Sequence, residues 1–128
     1  MPVSIVRLGS RRRRGEGLRI GTVRRPPRGV RKSQYARQNW YDVWLPNLAP
    51  SAALMRQSRI QEDGTGWRTF ERRCLSELKR PEPSHLLDTL AALSHHTSFS
   101  VGCYCADERR CHRSILQRML RERGAVVR

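Results

Sequence analysis

Residues 99 to 120 read FSVGCYCADERRCHRSILQRML, and this segment carries most of the chain's chemically reactive side chains. Three of the four cysteines lie here, as Cys103, Cys105 and Cys111, and His112 follows the last of them. Thiolate and imidazole are ligands that zinc prefers, and they also act as nucleophile and base in thiol-dependent enzymes. The spacing therefore indicates a chemical site, whose kind depends on how the segment folds.

A zinc ion held by Cys105, Cys111 and His112 is one hypothesis, and strand and helix geometry constrain it. Cα atoms two residues apart in a strand are separated by about 6.6 Å, whereas two thiolates on one zinc lie less than about 4 Å apart. Cys103 and Cys105 can share an ion only if the strand bends or has ended by Cys105. Side chains of neighbouring residues on a helix point about 100° apart, so Cys111 and His112 would not reach the same ion if both were helical. The pattern allows zinc without favouring it.

A reactive thiol is the second hypothesis. Cys111 lies at or just before the start of a predicted helix, between Arg110 and Arg113. Oriented backbone amides and neighbouring cations stabilise a thiolate and lower the pKa of the thiol. Cys111 and His112 are therefore the candidate catalytic pair of a thiol- or metal-dependent enzyme centred on Cys105, Cys111 and His112, in which Cys105 is the alternative reactive thiol.

Anion binding is the hypothesis that we prefer. In open parallel sheets, ligands collect beyond the carboxyl ends of strands, where helix N-termini present free amides. Residues 105–114 span such a junction, and a second arginine-bearing segment follows another predicted strand. If both strands end at the same edge, one cleft binds a phosphate-bearing or other anionic ligand, and nucleic acid is a candidate. The predicted anion-binding residues are Arg24, Arg28, Arg110, Arg113 and Ser114.

The charge of the chain agrees with a polyanionic partner but does not require one. Formal net charge is +15, and eleven of the first 32 residues are basic while only Glu16 is acidic. Residues 10–17 and 24–32 are predicted basic loops. A field of this sign attracts polyanions, yet 24 of the 26 basic residues are arginine, a bias that codon usage alone can produce.

Length and composition predict one cytoplasmic domain covering residues 1–128. The chain is long enough to bury a core without disulfides, and its cysteines are too few and too uneven for a secreted disulfide scaffold. Neither a signal-peptide pattern nor a membrane-spanning stretch is present in the sequence. We expect no membrane partner.

Three segments predict strands, namely VSIVRL (3–8), LRIGTV (18–23) and FSVGCYC (99–105), and a short strand is expected at 125–127. Helices are predicted at 52–57 with Ser51 as N-cap, across 66–80, after Ser84, and from about Cys111 to Gly124. Strand, loop, helix and strand in this order predict an α/β fold, a mostly parallel sheet covered by helices with Rossmann-like layering. Residues predicted to lie in the core include Trp40, Tyr41, Trp44, Leu45 and Cys74.

Four motifs, in this order along the chain, carry a family resemblance. They are RIGTVRRPPRGVRK, WLPNLAPSAAL, WRTFERRCLSEL and CYCADERRCHRSIL. Together they resemble the bacterial family known as domain of unknown function 488, and most closely its YeaO-like branch. The similarity spans about residues 3 to 124. The matching positions are Arg24, Pro27, Arg28, Gly29, Ala49, Pro50, Ser51, Trp67, Phe70, Glu77, Leu78, Cys105, Cys111, His112 and Arg113.

The resemblance implies a compact α/β domain and names no reaction. Two positions depart from the family's pattern, because the acid expected before Arg24 is Val23 and the aromatic expected before Pro27 is Pro26. A third hypothesis therefore stays open beside the binding cleft and the enzyme. In it the chain is an interaction module whose cysteines only fill the core.

Overall fold

The computed structural model describes residues 2–57, 66–105 and 111–128. Within them the chain forms four strands and four α-helices. The strands are β1 (Val3–Arg7), β2 (Leu18–Gly21), β3 (Val43–Trp44) and β4 (Phe99–Cys103). The helices are α1 (Ala52–Gln57), α2 (Trp67–Leu78), α3 (Pro81–Leu93) and α4 (His112–Glu122).

The strands form one sheet in the order β1-β4-β2-β3, and every pairing is parallel. The predicted α/β class is confirmed. All five residues of β4 are buried, as expected for a strand with neighbours on both sides and covered faces. Because the strands run in one direction, their carboxyl ends meet at a single edge. We call it the carboxyl edge.

The helices cover one face of the sheet. Val3, Ile20 and Val101 point to that face and pack in one cluster with Leu116 and Leu120 of α4. The opposite face is covered by loop segments, and they approach it closely. A Cβ atom on Gly21 would lie 2.3 Å from Cδ2 of Tyr41, so only glycine lets the Tyr41 ring lie on the strand.

A buried ion pair holds the loop after β1 against this second face. Arg19 Nε donates to Glu16 Oε2 at 2.8 Å and Nη2 donates to Oε1 at 3.0 Å, while the two side chains are 0% and 1% exposed. The remaining donor, Arg19 Nη1, bonds the carbonyl oxygens of Ser10 and Asn39, both at 2.8 Å. Ser100 Oγ also donates to Glu16 Oε2 at 2.7 Å. The loop 10–17 therefore contains a buried structural anchor beside its exposed arginines.

Several predicted helix ends agree with the structure and one does not. Helix α1 has the predicted bounds, and the Leu54 amide donates to Ser51 Oγ at 3.1 Å, as expected of an N-cap. Ser84 was expected to cap the next helix, but α3 already begins at Pro81. Proline suits the first position of a helix because the missing amide hydrogen would have had no partner there.

The core prediction is also corrected at one aromatic residue. Tyr41 is buried, whereas Trp44 is 42% exposed, because it lies on β3 at the end of the strand order. Its indole nitrogen donates to the Val23 carbonyl oxygen at 2.7 Å, which fixes the ring at that edge. Cys74 is fully buried on α2, as predicted.

No helix among the described segments is both long and apolar enough to cross a bilayer.

The buried pair gives the first prediction. Burial alone would raise the pKa of Glu16, but hydrogen bonds from Arg19, Ser100 and the Arg13 amide outweigh it and lower the pKa to about 2. Glu16→Gln leaves the Arg19 charge buried without a counter-charge, and we expect it to lower the free energy of unfolding at pH 7 by about 3–5 kcal/mol. Arg12→Gln, which breaks the half-exposed pair with Asp42, should cost less than about 1 kcal/mol. Urea unfolding measures both variants.

The pH dependence follows from the same shift. A carboxyl whose pKa is lower in the folded state contributes stability that is present above its unfolded pKa. That contribution is lost as the pH falls from the ordinary value of 4.5 toward 2. Wild type should therefore lose more stability in this range than Glu16→Gln does. Equal losses in the two proteins would contradict the assigned role.

Candidate functional site

The site lies at the carboxyl edge, between the end of β4 and the start of α4. Strand β4 ends at Cys103, and Cys111 is the N-cap of α4, with an extended backbone (φ −141°, ψ 153°). Because Cys111 is not itself helical, it can direct its side chain to the same point as its neighbour His112. The sulfur atoms of Cys103 and Cys111 and a ring nitrogen of His112 all lie within 4.8 Å of one another.

A fourth residue, Cys105, lies close to these three in the fold. It follows the strand end and lines the same cleft as Cys103 and His112, while its sulfur lies outside the set of atoms within 4.8 Å of one another. Cys105 is exposed, while the other cysteines are buried. We refer to Cys103, Cys105, Cys111 and His112 as the thiol group. Sequence analysis left Cys103 out of the metal prediction because strand spacing separates it from Cys105, but the strand has ended before that spacing applies.

His112 has a defined orientation. Its Nε2 atom lies 2.6 Å from the carbonyl oxygen of Thr22 and 3.4 Å from the Thr22 hydroxyl. Since a carbonyl only accepts, Nε2 carries a hydrogen and donates it. Nδ1 lies 3.8 Å from Cys111 Sγ. Thr22 comes directly after β2, so the neighbouring strand turns the ring toward the thiols.

The thiols share hydrogen bonds unequally. Donation from Cys103 and Cys105, followed by the contact with His112, lowers the pKa of Cys111 although burial opposes the shift. The hydrogen bonds to Cys105 and Cys111, together with burial, raise the pKa of Cys103. Hydrogen bonding within the group therefore favours the thiolate form at Cys111 and the thiol form at Cys103.

A cleft of about 400 Å³ opens beside the thiol group, and we call it the thiol cleft. Cys103, Cys105 and His112 line it at one side. No described residue that lines it is a carboxylate, although three are arginines. Besides Cys103, Cys105 and His112, the lining consists of Val23, Arg24, Arg25, Pro50, Ala52, Met55, Arg56 and Tyr104.

A second cleft of about 670 Å³ adjoins the first, and we call it the proline-turn cleft. The two share Arg25 and Tyr104, and the Tyr104 hydroxyl donates to the Arg25 carbonyl oxygen at 2.8 Å. The proline turn and the thiol group therefore line two adjoining clefts, with Tyr104 between them. The second cleft is lined by Arg7, Leu8, Gly9, Ser10, Arg25, Pro26, Pro27, Arg28, Trp40 and Tyr104.

Of the predicted anion-binding residues, two line these clefts. Arg24 lines the thiol cleft, and its guanidinium donates to the carbonyl oxygens of Pro50 at 3.0 Å and of Pro46 and Ala49 at 3.1 Å. Arg28 is exposed and lines the proline-turn cleft. Backbone carbonyl oxygens thus fix the guanidinium of Arg24, whereas Arg28 is an exposed residue of the proline-turn cleft.

The other three residues have different surroundings. Arg113 is only 3% exposed, and its Nη2 donates to the Cys105 carbonyl oxygen at 2.6 Å. Ser114 Oγ donates to the Cys111 carbonyl oxygen at 2.8 Å, inside the first turn of α4. Arg110 lies outside the described residues. The functional roles of all five residues stay predictions.

Residues 3–124 match the family DUF488-N3a, described as the active DUF488-N3 subclade. The chain belongs to this family. The predicted resemblance to this family is confirmed, and the matched residues are nearly those predicted. Membership of the YeaO-like branch stays a prediction. No curated protein and no solved structure matches the chain.

The fold of this DUF488 protein joins three of the segments that carried the resemblance. Arg24 binds the carbonyl oxygens of Ala49 and Pro50, and Glu77 of α2 accepts from the Ser51 amide at 2.9 Å and from the Ser51 hydroxyl at 2.5 Å. These bonds attach one wall of the thiol cleft to α2 and to the segment that follows β2.

Exposure differences among the four cysteines give the second prediction. With a chelator present, iodoacetamide should modify Cys105 first, since the other three thiols are buried. Native-state labelling followed by peptide mass mapping measures the order. Equal early labelling of Cys74, which is buried on α2, would contradict the described packing.

Proposed function

We propose that this DUF488 protein binds a phosphate-bearing or other anionic ligand in the thiol cleft. The observation that supports this most directly is the charge of the lining. Arg24 and Arg25 line the cleft, and the described lining contains no carboxylate. An anionic ligand would place negative charge beside these two guanidinium groups.

The position of the cleft supports the same function. It lies at the carboxyl edge of a parallel sheet, where ligands of α/β proteins collect. Arginine presents a planar fork that matches two oxygens of a phosphate or carboxylate. Because three backbone carbonyls hold Arg24 in place, little side-chain entropy is lost when it contacts a ligand.

The adjoining cleft favours nucleic acid among phosphate-bearing ligands. Trp40 and Tyr104 lie edge to face with ring centroids 5.9 Å apart, and Arg7, Arg25 and Arg28 surround them. Aromatic rings beside a cationic groove are typical of proteins that bind single strands, where bases stack and arginines contact the backbone. The net charge of +15 would add long-range attraction.

The interaction-module hypothesis has less support. It expects the cysteines to be buried away from any cleft, but Cys103 and Cys105 line one. Cys105 is moreover exposed.

A fluorescent single-stranded oligonucleotide tests the proposal. Arg25→Gln removes the guanidinium that both clefts share, so we expect several-fold weaker binding and a smaller salt dependence, by about one phosphate contact. The matched control is Arg72→Gln, an exposed arginine of α2 with the same change in charge. Anisotropy titrations across a series of salt concentrations measure both quantities. If the two variants bind alike, the interaction is a general effect of net charge.

A second candidate function is a thiol- or metal-dependent reaction at the same cleft. The convergence of Cys103, Cys111 and His112 favours it, as does the description of the family as an active subclade. A panel of chromogenic phosphate mono- and diesters tests this function. Turnover that Cys105→Ser abolishes and Cys74→Ser retains would support it. No turnover above buffer by wild type would count against it for this substrate class.

A further inference from the structure

We propose that the thiol group is a zinc site in which Cys103 Sγ, Cys105 Sγ, Cys111 Sγ and His112 Nδ1 bind one ion. This inference does not rest on the proposed anion-binding function. It follows from the geometry of the four side chains, from the partner of the imidazole and from the charge around them.

The spacing of the donor atoms fits a single tetrahedral ion. With zinc–sulfur bonds of about 2.3 Å and zinc–nitrogen bonds of about 2.0 Å, two ligand atoms on one zinc lie about 3.5–3.8 Å apart. Cys111 Sγ and His112 Nδ1 are separated by 3.8 Å, and Cys103 Sγ joins them with all three atoms within 4.8 Å of one another. Cys105 Sγ lies outside that set of atoms, although Cys105 lines the same cleft as Cys103 and His112. Rotation of this exposed side chain would bring a fourth donor to the ion.

The imidazole is held as metal-binding histidines are held. A ligating histidine donates its other ring N–H to a carbonyl or carboxylate, which fixes both the tautomer and the ring direction. His112 Nε2 does this with the Thr22 carbonyl oxygen at 2.6 Å. Its other ring nitrogen, Nδ1, faces the Cys111 thiol at 3.8 Å.

A buried cation compensates the charge of the proposed site. A divalent ion bound by three thiolates and one neutral imidazole forms a complex with a net charge of −1. Arg113 is buried, with 3% of its surface exposed, and it donates to the Cys105 carbonyl oxygen. It forms no ion pair with a carboxylate among the described residues. Its Nε atom has no hydrogen-bond partner there either. A buried arginine without a carboxylate is costly, and an anionic metal centre next to it lowers that cost.

Soft sulfur donors with one imidazole select zinc over the hard cations magnesium and calcium, which prefer oxygen. A site with four protein ligands is of the structural type. It would tie the end of β4 to the start of α4 and so hold the side of the thiol cleft in place.

The test uses the full chain without a polyhistidine tag, stripped of metal under reducing conditions. Zinc is titrated against a chromophoric chelator, and cobalt is used as a spectroscopic substitute. We expect one equivalent of zinc per chain, a rise in the unfolding temperature on zinc addition, the visible spectrum of tetrahedral cobalt and a thiolate-to-cobalt charge-transfer band. Zinc should also protect Cys105 from iodoacetamide.

Two variants test the ligand set. Cys105→Ser changes an exposed residue, so its folding should be retained. His112→Gln removes the imidazole, and circular dichroism checks its fold. Each substitution should weaken zinc binding by at least about tenfold. Loss of a group that only orients a ligand already lowers metal affinity by about this factor. Cys105→Ser should also lose about a third of the charge-transfer intensity. The matched control is Cys74→Ser, a buried cysteine outside the thiol group, which should bind one equivalent with unchanged spectrum.

Several results would overturn the proposal. One such result is binding of far less than one equivalent by wild type, and another is a mass that shows a disulfide within the thiol group under the conditions of purification. An unchanged zinc affinity in Cys105→Ser would overturn the four-ligand set. Binding lost equally in Cys74→Ser would show a general dependence on cysteine rather than a site. Since no arginine is altered, failure here leaves the anion-binding proposal to its own test.

Discussion

The parallel direction of the strands is the constraint on which the site depends. Residues that follow β1, β2 and β4 are far apart in the chain, yet each strand delivers them to the same edge. The backbone of Thr22 after β2 can therefore hold His112 at the start of α4, and Tyr104 after β4 can bond Arg25. If one of these strands ran in the opposite direction, its following residues would lie about a strand length away. Neither the thiol group nor the paired clefts would then form.

Arginine has two separate uses in this molecule. Arg19 and Arg113 are buried and donate guanidinium hydrogens to carbonyl oxygens or to a buried carboxylate, so they organise loops from inside. Arg24 also donates to three carbonyl oxygens, but it lines the thiol cleft as well. Arg25 and Arg28 are exposed beside the clefts and keep their charge toward solvent. A count of basic residues therefore overstates the charge at the surface. The position of each arginine, rather than the total number, determines whether its charge faces solvent.

Local sequence patterns predicted the elements but not the contacts between them. The β-branched and alternating segments marked three strands, and Ser51 marked the start of α1, because these features depend on neighbouring residues. The end of β4 at Cys103, rather than at Cys105, could not be read locally, since alternation continues past the point where pairing stops. For the same reason Cys103 was missing from the predicted metal ligands. Residues 10–17 were predicted only as a basic loop, and the burial of Glu16 was not predicted. It could not be, because the partners of Glu16 include Ser100, which lies 84 residues away in the sequence.

The two ends of the described chain lie together. Val127 forms a parallel bridge with Val3, the Val3 amide donates to the Val126 carbonyl oxygen at 2.8 Å, and the Arg128 amide donates to the Val3 carbonyl oxygen at 2.9 Å. Val3 begins β1, so this contact is at the amino edge of the sheet, one strand length from both clefts. A fluorescent protein, a surface tether or a second domain fused at either end would consequently leave the clefts unobstructed. A short linker between the two ends would permit circularly permuted chains that open in a loop elsewhere.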